Sequence, residues 1–149
     1  MSTVKDVLAW KTTAHVYTIA ETASVLDAVK AMNQYRIGCL VVTREDTTII
    51  SGIIAERDVI RRIGCAQEDL SRVPVSDVMK REVIVCIPSD GLDAVRSVMR
   101  TQWIRQMPVV DPGGGLVGII SLGDLNAYML SEGEVVITYL HDYIEGKVR

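Results

Sequence analysis

Two similar positions of this sequence carry polar side chains that could bind a ligand. Ser121 and Asp124 lie three residues apart, directly after an apolar run, and Asp58 follows a similar run with Ala55 in place of the serine. A carboxylate accepts hydrogen bonds from hydroxyl groups, and a helix N-terminus with a serine hydroxyl favours an anion such as phosphate. The same spacing is also typical of an ordinary capping box, which binds no ligand.

Other residue types used in catalysis and metal binding show no comparable pattern. His15 and His141 lie far apart, without a matched nucleophile or metal-ligand spacing. Cys39, Cys65 and Cys86 form no Cys-x-x-Cys pair, which argues against zinc and a disulfide framework and predicts buried free thiols. No dinucleotide-binding glycine pattern or phosphate-loop lysine motif occurs. The sequence therefore predicts a protein that is not an enzyme and requires no metal or cofactor.

The composition indicates a folded chain of slightly acidic character. The 149 residues are 48% hydrophobic and carry a formal charge of −3. No uncharged apolar run reaches the roughly 20 residues of a membrane span, and no basic-then-apolar leader opens the sequence. We therefore expect a cytoplasmic protein, with neither a membrane nor a nucleic acid as its partner.

An internal repeat positions the two candidate groups. Four segments of the first half return in the same order in the second half. They are Val4–Leu8 with Val75–Met79, Leu26–Val29 with Leu92–Val95, Ile37–Val42 with Ile104–Val109, and Gly52–Asp58 with Gly118–Asp124. A unit of about 60 residues buries little apolar surface alone, so the two copies are expected to share a core.

Each copy contains the same succession of predicted elements. The predicted strands are Val16–Ile19, Cys39–Thr43 and Ile49–Ile54 in the first copy, and Val83–Ile87, Met107–Val110 and Leu116–Ile120 in the second. Helices are predicted to open at Ser24 and Asp90 and to begin near Asp58 and Asp124, with a turn at Asp111–Gly115. The fold class is therefore α/β (α+β), with two β-α-β-β-α repeats packed as a pseudo-twofold pair. The expected domains are 1–63 and 74–130, a linker 64–73 and a C-terminal helix 131–149.

The two repeats resemble a tandem pair of cystathionine-β-synthase (CBS) domains, the Bateman module of stand-alone bacterial proteins. The most specific features are Ile104–Asp111 and Gly118–Asp124. The resemblance implies a non-catalytic regulatory or sensor module, active in signal transduction or metabolic regulation. Its ligand would be an adenine nucleotide such as AMP, ADP, ATP, S-adenosylmethionine or an NAD-type molecule. The expected assembly is a homodimer that acts on a regulated protein.

The resemblance also assigns residues to two nucleotide-binding clefts, in which a carboxylate accepts the ribose hydroxyls. Cleft A would contain Asp58, Arg57, Ile84, Val85, Arg105, Gln106 and Pro108. Cleft B would contain Ser121, Asp124, Thr18, Ile19, Gly38 and Cys39. Cleft A has a cation for phosphate but lacks the hydroxyl at residue 55, and Gln106 replaces a frequent histidine. Cleft B keeps the hydroxyl but lacks the cation.

Two alternatives remain open at this point. The chain could be a structural or oligomerisation module whose clefts have decayed, since each cleft lacks a part. A C-terminal apolar stripe at helical spacing could cover the chain's own core or form a seam between subunits. Its residues are Val135, Val136, Tyr139, Leu140, Tyr143 and Ile144.

Overall fold

The computed structural model describes residues 1–12 and 15–145, with the backbone alone for Glu134, Val135, Thr138, Tyr139 and Tyr143. The helices are α1 Val4–Trp10, α2 Val25–Tyr35, α3 Glu56–Cys65, α4 Leu92–Thr101 and α5 Leu122–Ile144. The strands are β1 Thr18–Ala20, β2 Cys39–Thr43, β3 Ile50–Ala55, β4 Gln106–Val110 and β5 Leu116–Ser121, and a 3-10 turn spans Val75–Asp77. The described chain is thus mixed α and β, as the sequence predicts. Within it, no helix combines the length and the apolar character needed to cross a membrane.

The residues pack into two units. Unit 1 comprises residues 1–14, 86–107 and 119–149, and unit 2 comprises residues 15–85 and 108–118. The predicted domain limits at residues 63, 74 and 131 stay a prediction.

In unit 2, α2 packs its apolar face onto a three-stranded sheet. The sheet has the order β1-β2-β3, with β1 parallel to β2 and β2 antiparallel to β3. The Ser24 hydroxyl accepts the Asp27 N–H at 3.0 Å, which starts α2 as the sequence predicts. The apolar side chains along one face of α2 join those of the sheet in a common core, where each buried Val, Leu, Ile or Met side chain contributes about 1.5–3 kcal/mol. The core includes Val25, Ala28, Met32, Leu40, Val42, Ile54, Val59 and Met79.

In unit 1, α1 and α4 both contact α5. Val4 and Val7 of α1 are fully buried, and the Trp10 ring meets the Tyr128 ring edge-on at a centroid distance of 5.7 Å. The start of α1 is stabilised by a contact between residues three positions apart: the Thr3 N–H donates to Asp6 Oδ2 at 2.8 Å. Helix α1 was not predicted, although Thr-x-x-Asp has the spacing of a capping box.

The predicted turn Asp111–Gly115 joins β4 to β5. The Asp111 N–H donates to the Gly115 carbonyl at 2.9 Å, and the Gly115 N–H donates to Asp111 Oδ1 at 2.9 Å. Gly114 has a φ of 84°, a left-handed conformation that glycine adopts without steric strain. The hairpin confirms the turn prediction.

Several local predictions are wrong. Val83–Ile87 is not a strand, because only Cys86 of that segment takes part in a β-bridge; apolar β-branched residues form a strand only where a neighbour pairs with their backbone. Asp90 does not cap α4, whose N-cap is Gly91, since the Asp90 carboxylate instead accepts the Ile87 N–H at 3.0 Å. Cys65 is exposed rather than buried.

The C-terminal part of the chain is one long helix. The helix predicted to begin near Asp124 and the predicted C-terminal helix are continuous in α5. Val136, Leu140 and Ile144 of the apolar stripe are exposed to solvent. The side chains of Val135, Tyr139 and Tyr143 lie outside the described residues.

Candidate functional site

Asp58 lies at the start of α3, directly after β3. Strand β3 ends at Ala55 and α3 begins at Glu56, so Asp58 is the third residue of the helix. Its Oδ2 accepts the Ala55 N–H at 2.8 Å, which satisfies one backbone donor that the helix leaves free. The helix N-terminus thus fixes the orientation of this carboxylate.

The second oxygen of Asp58 has a weaker partner. Lys80 Nζ lies 3.9 Å from Asp58 Oδ1, beyond hydrogen-bond distance, and the Lys80 side chain is 62% exposed while that of Asp58 is 7% exposed. Within residues 1–12 and 15–145, no hydrogen-bond donor reaches this oxygen. A carboxylate oxygen without a donor is an acceptor for a hydroxyl group.

Backbone pairing brings Lys80 to this position. The Ile53 N–H donates to the Lys80 carbonyl at 2.9 Å, and the Lys80 N–H donates to the Ile53 carbonyl at 2.8 Å. Gly52 permits this close approach, because an added Cβ would lie 2.5 Å from the Lys80 oxygen. Lys80 was missed from the sequence, since no local spacing links it to Asp58.

Ser121 and Asp124 form a reciprocal cap at the start of α5. The Ser121 N–H donates to Asp124 Oδ2 at 2.8 Å, and the Asp124 N–H donates to Ser121 Oγ at 3.0 Å. This is the capping box that the sequence left open as an alternative. Both side chains therefore have a structural role.

Lys11 adds an ion pair to this cap. Its Nζ lies 2.8 Å from Asp124 Oδ2 and donates to the Ile119 carbonyl at 3.0 Å. Burial raises the pKa of Asp124, but the hydrogen bonds from Lys11 and Ser121 outweigh it, so the pKa lies below its ordinary value. The sequence gives no signal for this contact, because Lys11 and Asp124 are 113 positions apart.

The other residues assigned to cleft A are divided between the two units. Arg57, Ile84 and Val85 are exposed, Pro108 is buried, and all four belong to unit 2 with Asp58. Arg105 and Gln106 belong to unit 1. The Arg105 carbonyl accepts the Leu122 N–H at 2.9 Å, which places the Arg105 backbone at the start of α5. The joint role of these residues stays a prediction.

The residues assigned to cleft B are divided in the same way. Thr18 and Ile19 lie on β1 and pair with β2. The Gly38 carbonyl accepts the Glu56 N–H at 3.0 Å, and Cys39 pairs with Ala55, so both lie beside the start of α3. These four residues belong to unit 2, whereas Ser121 and Asp124 belong to unit 1. Cleft B also stays a prediction.

One cysteine and one polar cluster are further groups with chemical potential in the described part of the chain. Burial and the neighbouring Glu56 raise the pKa of Cys39 to about 11, so its thiol is protonated at neutral pH. The ligand atoms of His141 and Asp142 in α5 and of Glu145 just after it lie within 4.8 Å of one another and could hold a metal ion.

The chain is similar to known proteins over most of its length. The CBS domain family matches residues 4–64 and 75–131. The CBS domain-containing protein YhcV of Bacillus subtilis is 31% identical over 131 residues, which cover 88% of each chain. A CBS-domain containing protein from Agrobacterium tumefaciens has a TM-score of 0.76 and 30% identity, and covers 86% of this chain and 99% of its own.

A third relative was solved with a ligand. A CBS domain protein from Pyrobaculum aerophilum, complexed with AMP, has a TM-score of 0.72 and 23% identity, and covers 83% of this chain and 89% of its own. This likeness concerns the fold. Together with the two family matches, it supports the repeats found in the sequence: the chain belongs to the CBS domain family and contains two CBS domains.

Proposed function

We propose that this chain is a non-catalytic regulatory module that binds an adenine nucleotide, with Asp58 as the acceptor for the ribose hydroxyls. One observation carries the proposal: the Asp58 carboxylate is buried, is oriented by the Ala55 N–H at 2.8 Å, and has a second oxygen without a hydrogen-bond donor in the described chain. A neutral hydroxyl donor satisfies that oxygen without adding charge. The AMP complex of the Pyrobaculum aerophilum relative supports the ligand class.

The phosphate is the second part of the proposed ligand. Arg105 is the proposed phosphate partner, since its guanidinium group can meet two phosphate oxygens and residue 55 has no hydroxyl. Arg57 is exposed on the first turn of α3 and adds positive charge beside Asp58. Ile84, Val85, Gln106 and Pro108 are the proposed surroundings of the base. AMP, ATP, NAD-type ligands and S-adenosylmethionine share the adenosine part and differ in the charged part.

Regulation follows if the nucleotide binds one conformation of the module better than another. The ligand then shifts the population toward that conformation by its differential affinity. The proposed assembly is a cytoplasmic homodimer that passes this shift to a regulated protein. No chemical step on the nucleotide is part of the proposal.

The test is isothermal titration of the full chain with AMP, and then with ATP, NAD and S-adenosylmethionine. Asp58→Asn keeps an oxygen for the Ala55 N–H but removes the charge. We expect AMP affinity to fall by about 1–3 kcal/mol, as for a hydrogen bond to a charged group. Asp6→Asn is the matched control, because Asp6 caps α1 with the same 2.8 Å contact. Equal AMP affinity for wild type and Asp58→Asn would remove Asp58 from the site.

A further arm concerns Arg105. Arg105→Ala should weaken the binding of AMP but hardly change the binding of adenosine, which has no phosphate. Arg105→Lys should recover part of the AMP affinity. Equal losses for both ligands would mean that Arg105 supports the shape of the site. If neither substitution changes the affinity for either ligand, Arg105 lies outside the site.

The second candidate function is a structural or oligomerisation module. The observation that favours it is the apolar surface of α5, on which Leu130, Val136, Ile137, Leu140 and Ile144 are exposed. Exposed apolar groups of this extent are typical of contact surfaces between proteins. If none of the nucleotides binds, this function becomes the better account of the chain.

A further inference from the structure

The two candidate carboxylates differ in the lysine that faces them. Lys11 Nζ lies 2.8 Å from Asp124, and the Lys11 side chain is 13% exposed. Lys80 Nζ lies 3.9 Å from Asp58, and the Lys80 side chain is 62% exposed. The first is a short, half-buried ion pair and the second is a loose surface contact. Partly buried ion pairs are screened much less by water and salt than exposed ones.

The two donors that face the Asp124 carboxylate both meet one of its oxygens. Its Oδ2 accepts from both the Ser121 N–H and Lys11 Nζ, each at 2.8 Å. A ribose diol that uses both carboxylate oxygens would therefore have to share Oδ2 with Lys11 or displace the lysine. Displacement would leave the Lys11 ammonium group half-buried without its counter-ion, and a neutral hydroxyl does not compensate that charge.

Folded elements hold Lys11 in place. Lys11 directly follows α1, and its N–H donates to the Val7 carbonyl at 3.0 Å as the C-cap of that helix. Helix α1 is anchored by Val4 and Val7, which are fully buried. The lysine is thus pre-organised, so little conformational entropy opposes its contact with Asp124.

We propose that Lys11 is an internal occupant of the Ser121–Asp124 site, and that its ion pair closes this site to adenosine ligands. The proposal rests on the proposed function. It refines that function, because it makes the two clefts unequal: a nucleotide occupies the Asp58 site, while Asp124 is held by the protein's own lysine. Removal of Lys11 opens a second site in the same chain.

The test is the stoichiometry of AMP binding by isothermal titration. Lys11→Met keeps the length and packing of the side chain and removes its charge. Wild type should bind one AMP per chain, and Lys11→Met should bind two, with at least a tenfold gain in affinity at the new site. Lys11→Arg keeps a cation and should still bind one. Lys11→Met with Asp124→Asn should return to one.

The outcomes separate this inference from the proposed function. One AMP per chain in both wild type and Lys11→Met overturns the inference and leaves the proposed function intact. A third outcome is that wild type binds two AMP molecules, while Lys11→Met binds only one or binds the second more weakly. Lys11 would then be a ligand contact, which also overturns the inference. No binding by any variant overturns the proposed function. Lys11→Gln serves as a second neutral variant, and a melting curve for each protein checks its fold.

Discussion

Gly52→Ala should destabilise the protein strongly, although it adds a single methyl group. The new Cβ would lie 2.5 Å from the Lys80 carbonyl oxygen and 2.7 Å from Met79 Sδ. The Met79 side chain can move, but the Lys80 oxygen is backbone and accepts the Ile53 N–H at 2.9 Å. Because ordinary C···O contacts are about 3.3 Å or longer, the two backbones must separate by nearly 1 Å.

The magnitude follows from the contacts that this separation breaks. The two hydrogen bonds between Ile53 and Lys80 contribute about 1 kcal/mol each, and overpacking strain adds about 1 kcal/mol. The lower entropy of alanine in the unfolded chain offsets about 0.5–1 kcal/mol. The expected net loss is therefore about 2 kcal/mol.

Urea unfolding followed by circular dichroism measures this loss as a lower midpoint. Gly64→Ala is the matched control, because nothing lies within 4 Å of its added Cβ and Gly64 is inside α3. The control should stabilise the protein by about 0.5–1 kcal/mol, as alanine does within a helix. If Gly52→Ala unfolds at the same urea concentration as wild type, the Ile53–Lys80 pairing is not the constraint that we describe.

Three further predictions concern the surface and the thiols. The protein should sediment as a dimer or larger at micromolar concentration. The double variant Ile137→Glu and Leu140→Glu should shift it toward the monomer, because both side chains are exposed on α5. A wild-type protein that sediments as a monomer would refute the seam between subunits. At pH 8, Ellman's reagent should react quickly with the exposed Cys65 and slowly with Cys39 and Cys86, since burial raises their pKa values to about 11 and about 12. Because the unfolded thiols ionise near pH 9, the free energy of unfolding should fall as the pH rises above that value. If all three thiols of the folded protein react with the reagent at the same rate, both statements about the thiols are contradicted.

Strands with strong local signals were predicted well from the sequence. Strand β2 runs from Cys39 to Thr43, as predicted, because a short apolar run rich in β-branched residues between Gly38 and Arg44 favours a strand. The Ser24 cap and the Ser121–Asp124 capping box were also visible, since their partners are three residues apart. The repeat itself identified the fold and the family.

Elements that depend on distant partners were not visible. The segment Val83–Ile87 has the composition of a strand, yet strand pairing is decided by the backbone that lies beside it. Asp90 has the residue type of a cap, but its carboxylate bonds the preceding turn and leaves Gly91 as the N-cap. Local propensity alone could not choose between these outcomes.

The candidate sites show the same division. Asp58 and Asp124 could be placed at helix starts from the sequence, because the apolar run and the acidic residue that follows it are local patterns. Only the tertiary structure decided what faces them: Lys80 through its pairing with Ile53, and Lys11 across 113 positions of the chain. The physical reason is that a charged side chain is selected by proximity in the folded state, and no periodicity along the chain encodes that proximity.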